Sequence, residues 1–259
     1  MPSHRPESSA RLVVARNALA AVATALLLNL ASAQDDLLLR AEQLMQAGSY
    51  AAASDLYQRA QGLDREEGIV GASRAFAMMG NIDEAKRLCT VALEGVGAEE
   101  LPLVATQLAE LLRASGQSQA ALALFEDIHQ SLNQPPTRTL VHYGDLLQFV
   151  GRRAEAQVQL RRAVDRYADG LVFSSEDTAQ VARASWLLGE FHDANSLFTE
   201  ATRLDPNNLE AHALWGELFL EKYNAADAQR SFEDALAINT RYLPALVGIA
   251  RVTGDRDAL

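Results

Sequence analysis

The feature that most constrains this chain is a column of alanines that returns about once every 35 residues. In each of six segments, a bulky apolar residue or cysteine follows the alanine after four positions, and a small or apolar residue follows three positions later. The column consists of Ala53, Ala85, Ala121, Ala156, Ala194 and Ala228. A pattern of i, i+4 and i+7 predicts the buried stripe of an amphipathic helix, once in every unit.

A second column lies five residues before each alanine, and it holds glycine in five of the six units. Its members are Gly48, Gly80, Gly116, Gly151 and Gly189, with Tyr223 in the sixth unit. Glycine is favoured just beyond a helix C-terminus, where the chain takes a left-handed conformation. Seven residues earlier each unit has a small residue: Ala41, Ser73, Ala109, Gly144, Ala182 and Gly216. Each unit is therefore predicted to contain helix A, a glycine turn, helix B and a short loop.

Such a unit cannot bury its apolar stripe alone, so the units must stack on one another. Only 7 prolines and 15 glycines interrupt the 259 residues, which favours helix over strand. The sequence therefore predicts an all-α fold, a superhelical solenoid of antiparallel helix pairs.

The period and the columns resemble the tetratricopeptide repeat (TPR), in proteins of the exported bacterial type. The best match is LEAHALWGELFLEKYNAADAQRSFEDALAIN, where Trp215-Gly216 stands at the family's Leu-Gly position, and Pro206 stands at its loop proline. The resemblance covers about residues 34–241 and implies a right-handed superhelix. The expected repeats are 34–65, 66–99, 102–135, 137–170, 175–208 and 209–241, and 242–259 would start a seventh, truncated repeat. Longer connections at 129–139 and 165–178 could bend the solenoid or split it near residue 170.

The N-terminus has the pattern of a secretory signal peptide over residues 1–33. Three arginines precede an apolar stretch, and ASA follows before Gln34, which predicts cleavage after Ala33. The apolar stretch from Ala18 to Leu30 is shorter than the roughly 20 residues that span a bilayer. We expect a periplasmic or secreted protein without a membrane span in the mature chain. The alternative is that the segment stays uncleaved as an anchor.

Charge and cysteine content exclude several classes of protein. The net charge is −11, which argues against a nucleic-acid binder because phosphate binding needs a basic face. Cys89 is the only cysteine, so the chain can form neither an internal disulfide nor a cysteine-based zinc site. Its apolar helical context, RLCTVAL, indicates a buried thiol rather than a reactive one.

No catalytic or metal-binding motif is present in the sequence. There is no G-x-S-x-G, H-E-x-x-H or P-loop pattern, and the histidines beyond residue 33 lie in separate units. His192, Ser196 and Glu200 would share one helical face, but that face holds unrelated residues in the other units. We therefore expect a protein that is not an enzyme and that needs no metal or cofactor.

The hypothesis that remains is a non-catalytic scaffold that binds a protein or peptide partner. The resemblance implies that the A helices line a concave groove. Its candidate contact residues are Arg138, His142, Asp145, Phe149, Arg183 and Trp186. Arginine and tryptophan are typical interface anchors, and Arg138 and Arg183 could hold a partner's carboxylate. Alternatively, these are ordinary surface residues.

Two further points bear on this hypothesis. The family's carboxylate clamp is absent, because its places hold Leu38, Glu42, Gly71, Leu103 and Gln107. The chain also stops soon after an A-type helix, without an evident polar cap. An alternative hypothesis is therefore an N-terminal TPR module of a larger exported protein, whose catalytic domain, for example a peptidase, lies beyond Leu259. The sequence does not identify the partner or the oligomeric state.

Overall fold

Helices form all the regular secondary structure in the part of the chain that the structure describes. This computed structural model describes residues 36–60 and 65–254, and the predicted signal peptide lies outside them. The first helix, α1, covers residues 36–46. The others are α2 (Tyr50–Ala60), α3 (Arg65–Met78), α4 (Ile82–Leu93), α5 (Pro102–Ala114), α6 (Ser118–Ser131), α7 (Thr137–Phe149), α8 (Arg153–Ala168), α9 (Ser175–Leu187), α10 (Phe191–Leu204), α11 (Leu209–Glu221), α12 (Ala225–Ile238) and α13 (Leu243–Thr253). None of these helices is long and apolar enough to cross a bilayer.

The helices alternate between two layers. We call the odd-numbered helices the A helices and the even-numbered ones the B helices. Each A helix from α1 to α11 is joined to the next B helix by a turn of three residues, which brings the pair back antiparallel. Each A helix from α3 onwards packs against the following A helix, and each B helix packs against the A helix of the next unit. The prediction of an all-α helical-repeat solenoid is confirmed.

The alanine column lies in the centre of each helix pair. All six alanines are 0% exposed, and the bulky residue four positions later is at most 4% exposed in every unit. The alanine lets the two helices approach closely, and the bulky side chain fills the space between neighbouring pairs. Burying one such large apolar side chain contributes roughly 1.5–3 kcal/mol, so the repeated column supplies much of the stability.

Glycines inside the A helices make room for the bulky column. A Cβ atom added at Gly216 would lie 2.6 Å from the Phe232 ring, and one at Gly248 would also clash with it. The single ring of Phe232 is therefore held between α11 and α13. Tyr57 has the same relation to Gly71 of α3.

The turns between A and B helices depend on a left-handed residue. The five turn glycines have φ between +72° and +85°. In the fifth unit, the N–H of Gly189 donates to the Trp186 carbonyl (2.9 Å) and that of Glu190 donates to the Ser185 carbonyl (2.8 Å). This is the Schellman pattern, which satisfies the last carbonyls of the helix.

The sixth unit makes the same turn without glycine. Tyr223 has φ +58° and is the one non-glycine residue with a positive φ in the described part of the chain. Its N–H donates to the Leu220 carbonyl (3.1 Å), while its side chain is 97% exposed.

The two longer connections do not divide the solenoid. One apolar cluster joins Leu140 and Val141 of α7 and Leu160 of α8 to Ala184 of α9, so the core continues across residue 170. The first connection is tied to α8, because Arg166 donates to the Pro135 carbonyl at 3.0 Å.

The first and sixth units meet directly. The Asn239 side-chain amide donates to the Tyr50 hydroxyl (2.9 Å) and to the Met45 carbonyl (3.3 Å). The Arg241 guanidinium donates to the Gly48 carbonyl (3.3 Å) and lies 5.7 Å from the centre of the Tyr50 ring. We call these four residues, Gly48, Tyr50, Asn239 and Arg241, the clasp. An open solenoid has contacts between neighbouring repeats only, so the clasp closes this one into a ring.

Candidate functional site

The inner face of the ring is built from the A helices, and charged side chains cross from one A helix to the next. Arg138 of α7 donates two hydrogen bonds to Glu110 of α5, both at 3.0 Å, and two to Glu210 of α11, at 3.0 and 3.4 Å. Arg138 on α7 and Glu210 on α11 are separated in chain order by the A helix α9. Gln180 of α9 also donates to Glu210, at 2.9 Å. Strong curvature brings these helices together.

A second set of charges joins α5, α7 and α9. Arg183 of α9 donates to Asp145 of α7 at 2.6 Å, and Arg113 of α5 donates to the same oxygen at 2.5 Å. Arg183 also donates to Nε2 of His142 at 3.3 Å. Burial lowers the pKa of His142 well below its usual range, and the Arg183 and Arg138 guanidinium groups lower it further. The imidazole is therefore neutral, and its Nε2 atom lies 3.3 Å from both Arg183 and Glu110.

Two aromatic residues lie at the edge of the groove, near the C-terminal ends of α7 and α9. The Phe149 side chain is 68% exposed, and the Arg113 guanidinium lies 5.6 Å from its ring centre. The indole N–H of Trp186 donates to Glu221 of α11 at 2.6 Å. Phe149 is the one exposed side chain of the six groove residues named from the sequence, and Trp186 is half-buried.

The structure thus places all six of those residues on the adjacent A helices α7 and α9, and their surroundings differ. Arg138 and Arg183 already bind carboxylates of this chain, and each side chain is only 16% exposed. A partner's carboxylate would have to displace Glu110, Glu210 or Asp145. Because neither guanidinium group is free, the groove is less suited to a partner's carboxylate than the sequence indicates.

A cavity of about 270 Å³ opens on the inner face where the first units meet the sixth. We call it the central cavity. Its acidic wall consists of Glu42, Glu110, Glu176, Asp205 and Glu210. Two guanidinium groups, Arg74 and Arg138, and three tyrosines, Tyr50, Tyr57 and Tyr242, also line it.

The carboxylates outnumber the cations, so the central cavity has a negative charge. Burial alone would raise the pKa of Glu210, but the nearby Arg138 and Arg74 lower it to about 2. Glu210 is therefore ionised at neutral pH, and with Glu110 it compensates Arg138. Arg74 forms no salt bridge within the described residues.

One buried polar atom in the cavity wall has no hydrogen-bond partner among the residues that the structure describes. Gln107 of α5 is 5% exposed, and its buried Oε1 atom has no hydrogen-bond donor. A buried acceptor without a donor is costly, so each such atom in a native structure calls for a partner such as a water, an ion or a bound group.

Most of the acidic wall follows from the A-helix register, but Tyr50 and Tyr242 do not. Glu42, Arg74 and Glu110 occupy the same A-helix position in successive units. Tyr50 begins a B helix and Tyr242 lies in a loop, and they reach the cavity because the ring closes. No signal in the sequence indicates that closure, so these residues could not have been found from the repeat pattern.

Features of an active centre are scarce. No group of three or more histidine, cysteine or acidic residues in the described ranges could hold a metal ion. Cys89 is buried, and burial raises the pKa of its thiol to about 11. His192 and Ser196 are exposed on the outer face of α10, where the Ser196 hydroxyl donates to the His192 carbonyl.

Comparisons with known proteins find similarity in structure only. No family model matches the chain, and no curated protein matches it. A monomeric mutant of IFIT1 with m7Gppp-AAAA is 15% identical, with 83% of this chain and 55% of that chain covered and a TM-score of 0.55.

Two further solved structures give lower scores. TTC0263, a thermophilic TPR protein of Thermus thermophilus, is 19% identical, with 72% of this chain and 99% of that chain covered and a TM-score of 0.49. The APC/C hetero-tetramer Cut9-Hcn1 is 16% identical, with 85% of this chain and 46% of that chain covered and a TM-score of 0.47. The chain spans about half the length of the IFIT1 and APC/C chains.

Similarity at this level of identity concerns the fold. The six helix pairs, the five left-handed glycine turns and the buried alanine column are the features of the repeat that the sequence resembles. By fold, the protein is therefore a tetratricopeptide-repeat solenoid.

Proposed function

We propose that the protein is a non-catalytic scaffold that holds a polypeptide partner along the inner face of its ring. The observation that carries this proposal is the central cavity, which side chains and loops of the first six units build together. Stacked repeats form one long continuous surface, and such a surface suits a peptide in an extended conformation. Phe149 and Trp186 at the edge would supply apolar contact area.

A nucleic acid is a poorer candidate for this surface. The IFIT1 structure contains m7Gppp-AAAA, a capped oligoadenylate. Here the chain has a net charge of −11, and five carboxylates line the cavity. Phosphate groups would be repelled by such a surface, because nucleic-acid binding draws its affinity from Lys and Arg contacts.

The sequence supports a location outside the cytoplasm for this activity. The positive, apolar and Ala-Ser-Ala regions of residues 1–33 form the pattern of a secretory signal. We propose that the solenoid acts in the periplasm or as a secreted protein.

A library of random linear peptides displayed on phage tests the proposal. Residues 34–259 would be the immobilised protein, and enriched peptides would be titrated by fluorescence anisotropy. Replacing Phe149 and Trp186 by alanine should weaken binding about tenfold or more, as loss of interface anchors does. The control is Val158→Ala, which shortens an exposed apolar residue of α8. Failure to enrich any peptide would contradict the proposal.

A further inference from the structure

The central cavity has properties that go beyond a general peptide groove, and they concern the charge of the partner. Of the seven charged side chains in its wall, five are carboxylates and two are guanidinium groups. One of these, Arg138, is neutralised by hydrogen bonds from its own N–H groups to Glu110 and Glu210. The remaining negative charge favours a cation, and the low polarity of the interior strengthens that preference.

One tyrosine of the cavity wall, Tyr242, favours a cation as well. Tyr50, Tyr57 and Tyr242 are among the residues that line the cavity, and the face of an aromatic ring attracts a positive group. Tyr50 and Tyr57 are each only 4% exposed, and Arg241 already lies over the Tyr50 ring, so the half-buried Tyr242 is the most accessible of the three. The clasp shows the same chemistry within the chain, since the Arg241 guanidinium lies over the Tyr50 ring. The Tyr57 hydroxyl donates to Glu42 at 2.7 Å, which holds this carboxylate in place while it keeps acceptor sites for further donors.

Gln107 is the independent observation that points to a ligand. Its Oε1 atom is buried, lies in the wall of the cavity and has no donor in this structure. An N–H group from a bound molecule would satisfy it. A cation that carries several N–H groups could donate to Gln107 and to a carboxylate of the acidic wall at the same time.

The volume of the central cavity is sufficient for one side chain. Sites for small molecules usually enclose about 300–1,000 Å³, and the central cavity, at about 270 Å³, lies close to the lower end of that range. A guanidinium has five N–H donors in a planar fork, whereas an ammonium group has three on one atom.

On these grounds we propose that the central cavity binds a basic side chain of the partner polypeptide, arginine in preference to lysine. This inference rests on the proposed function. Arg74 is the group that argues for the opposite choice, an acidic ligand, because it has no salt bridge within the described residues. It faces five carboxylates in the same cavity, so an anion would meet more repulsion than attraction.

The test uses the peptides enriched from the display library and residues 34–259 of the chain. We expect a basic residue at a constant place in the enriched sequences. Replacing that arginine by citrulline keeps the shape and removes the charge, and it should weaken binding about tenfold or more, with lysine intermediate. Glu42→Gln should weaken the arginine peptide and leave the citrulline peptide unchanged. The matched control is Glu233→Gln on the outer face of α12, which removes the same charge and should have no effect.

Gln107→Leu adds a readout that distinguishes a ligand-binding role from a structural one. The variant removes the buried acceptor without a donor, so the free protein should unfold at a higher urea concentration. The same variant should bind the arginine peptide more weakly. A lower urea midpoint would show that Gln107 supports the fold, and it would remove the observation on which the inference depends.

The outcomes separate the inference from the proposed function. Peptides that bind without a basic residue, or that tolerate citrulline, would overturn the inference and leave the scaffold proposal intact. A constant acidic residue whose binding is lost in Arg74→Gln would overturn it in favour of an anion site. If no peptide binds at all, the scaffold proposal fails, and the inference fails with it.

Discussion

At the scale of single residues, glycine has two separate physical roles in this chain. At Gly189 the backbone is left-handed, and a Cβ atom would meet nothing within 4 Å. At Gly216, inside α11, the backbone is helical, and a Cβ atom would meet the Phe232 ring at 2.6 Å. The first role is conformational and the second is one of packing, so the two positions should respond differently to substitution.

Tyr223 provides a test of the conformational role. A left-handed backbone costs a non-glycine residue roughly 1–2 kcal/mol, and the exposed Tyr223 side chain has few contacts to lose. We expect Tyr223→Gly to raise the free energy of unfolding by about 1 kcal/mol in urea titrations. The matched control is Gly189→Ala, where only backbone strain is added and stability should fall by a similar amount. A less stable Tyr223→Gly variant would show that the ring has a contact of greater value.

At the scale of elements, packing between helices decides the stability of a unit. Gly216→Ala should overpack the space between α11 and α12 and lower the free energy of unfolding by about 1–3 kcal/mol. Phe232→Leu in the same chain should recover part of that loss, because it removes the ring that the new Cβ would meet. A double-mutant cycle measures this coupling. Strictly additive losses would contradict the contact.

The charged contacts between α5, α7 and α9 should make the solenoid sensitive to acid. His142 is buried, and Arg183, Arg138 and Arg113 disfavour its protonation, while Glu110 and Glu210 favour it. Because its pKa in the folded chain is well below 6.5, the unfolded chain binds more protons as the pH falls below that value. The free energy of unfolding should fall by up to about 1.4 kcal/mol per pH unit from this group.

His142→Gln tests the pH dependence, because glutamine can still accept from Arg183 but does not titrate. Between about pH 7 and about pH 5.5, the urea midpoint of this variant should fall less than that of the parent chain. His192→Gln, on the exposed outer face, is the control and should behave as the parent does. Below its usual pKa of 4.5, Glu210 adds a further loss, since its pKa is lowered to about 2 in the folded state. Equal slopes for parent and His142→Gln would exclude His142 as the sensor.

At the scale of the whole molecule, the clasp determines whether the solenoid is a ring or an open arc. Asn239→Ala together with Arg241→Ala removes the hydrogen bonds that the Asn239 and Arg241 side chains donate, and leaves the one from the Tyr50 hydroxyl to the Arg241 carbonyl. We expect a larger radius of gyration by X-ray scattering and faster amide exchange in residues 36–60, with helical circular dichroism unchanged. Arg230→Ala, an exposed change on α12, is the control. Unchanged scattering in the double variant would mean that stacking alone sets the curvature.

The repeat pattern predicts local features of each unit, but it does not predict contacts between side chains of distant units. Ala194, Phe198 and Gly189 could be placed by counting along the chain, because helix periodicity and left-handed turns are local properties. Arg138 and Arg183 could be placed on the inner face by register, but their pairing with Glu110, Glu210 and Asp145 could not. Arg138 and Glu210 are 72 residues apart, and no local rule joins them.

By itself the sequence determined the helices, their glycine turns and the buried stripe of each unit, because each depends on residues within about one repeat. Only the tertiary structure decided that the inner arginines are occupied, that Tyr50 and Tyr242 share a cavity, and that Asn239 reaches the first turn. The physical reason is that a small rotation from each unit to the next adds up over the array. The ends therefore meet, or fail to meet, according to the packing of every A helix on its neighbour.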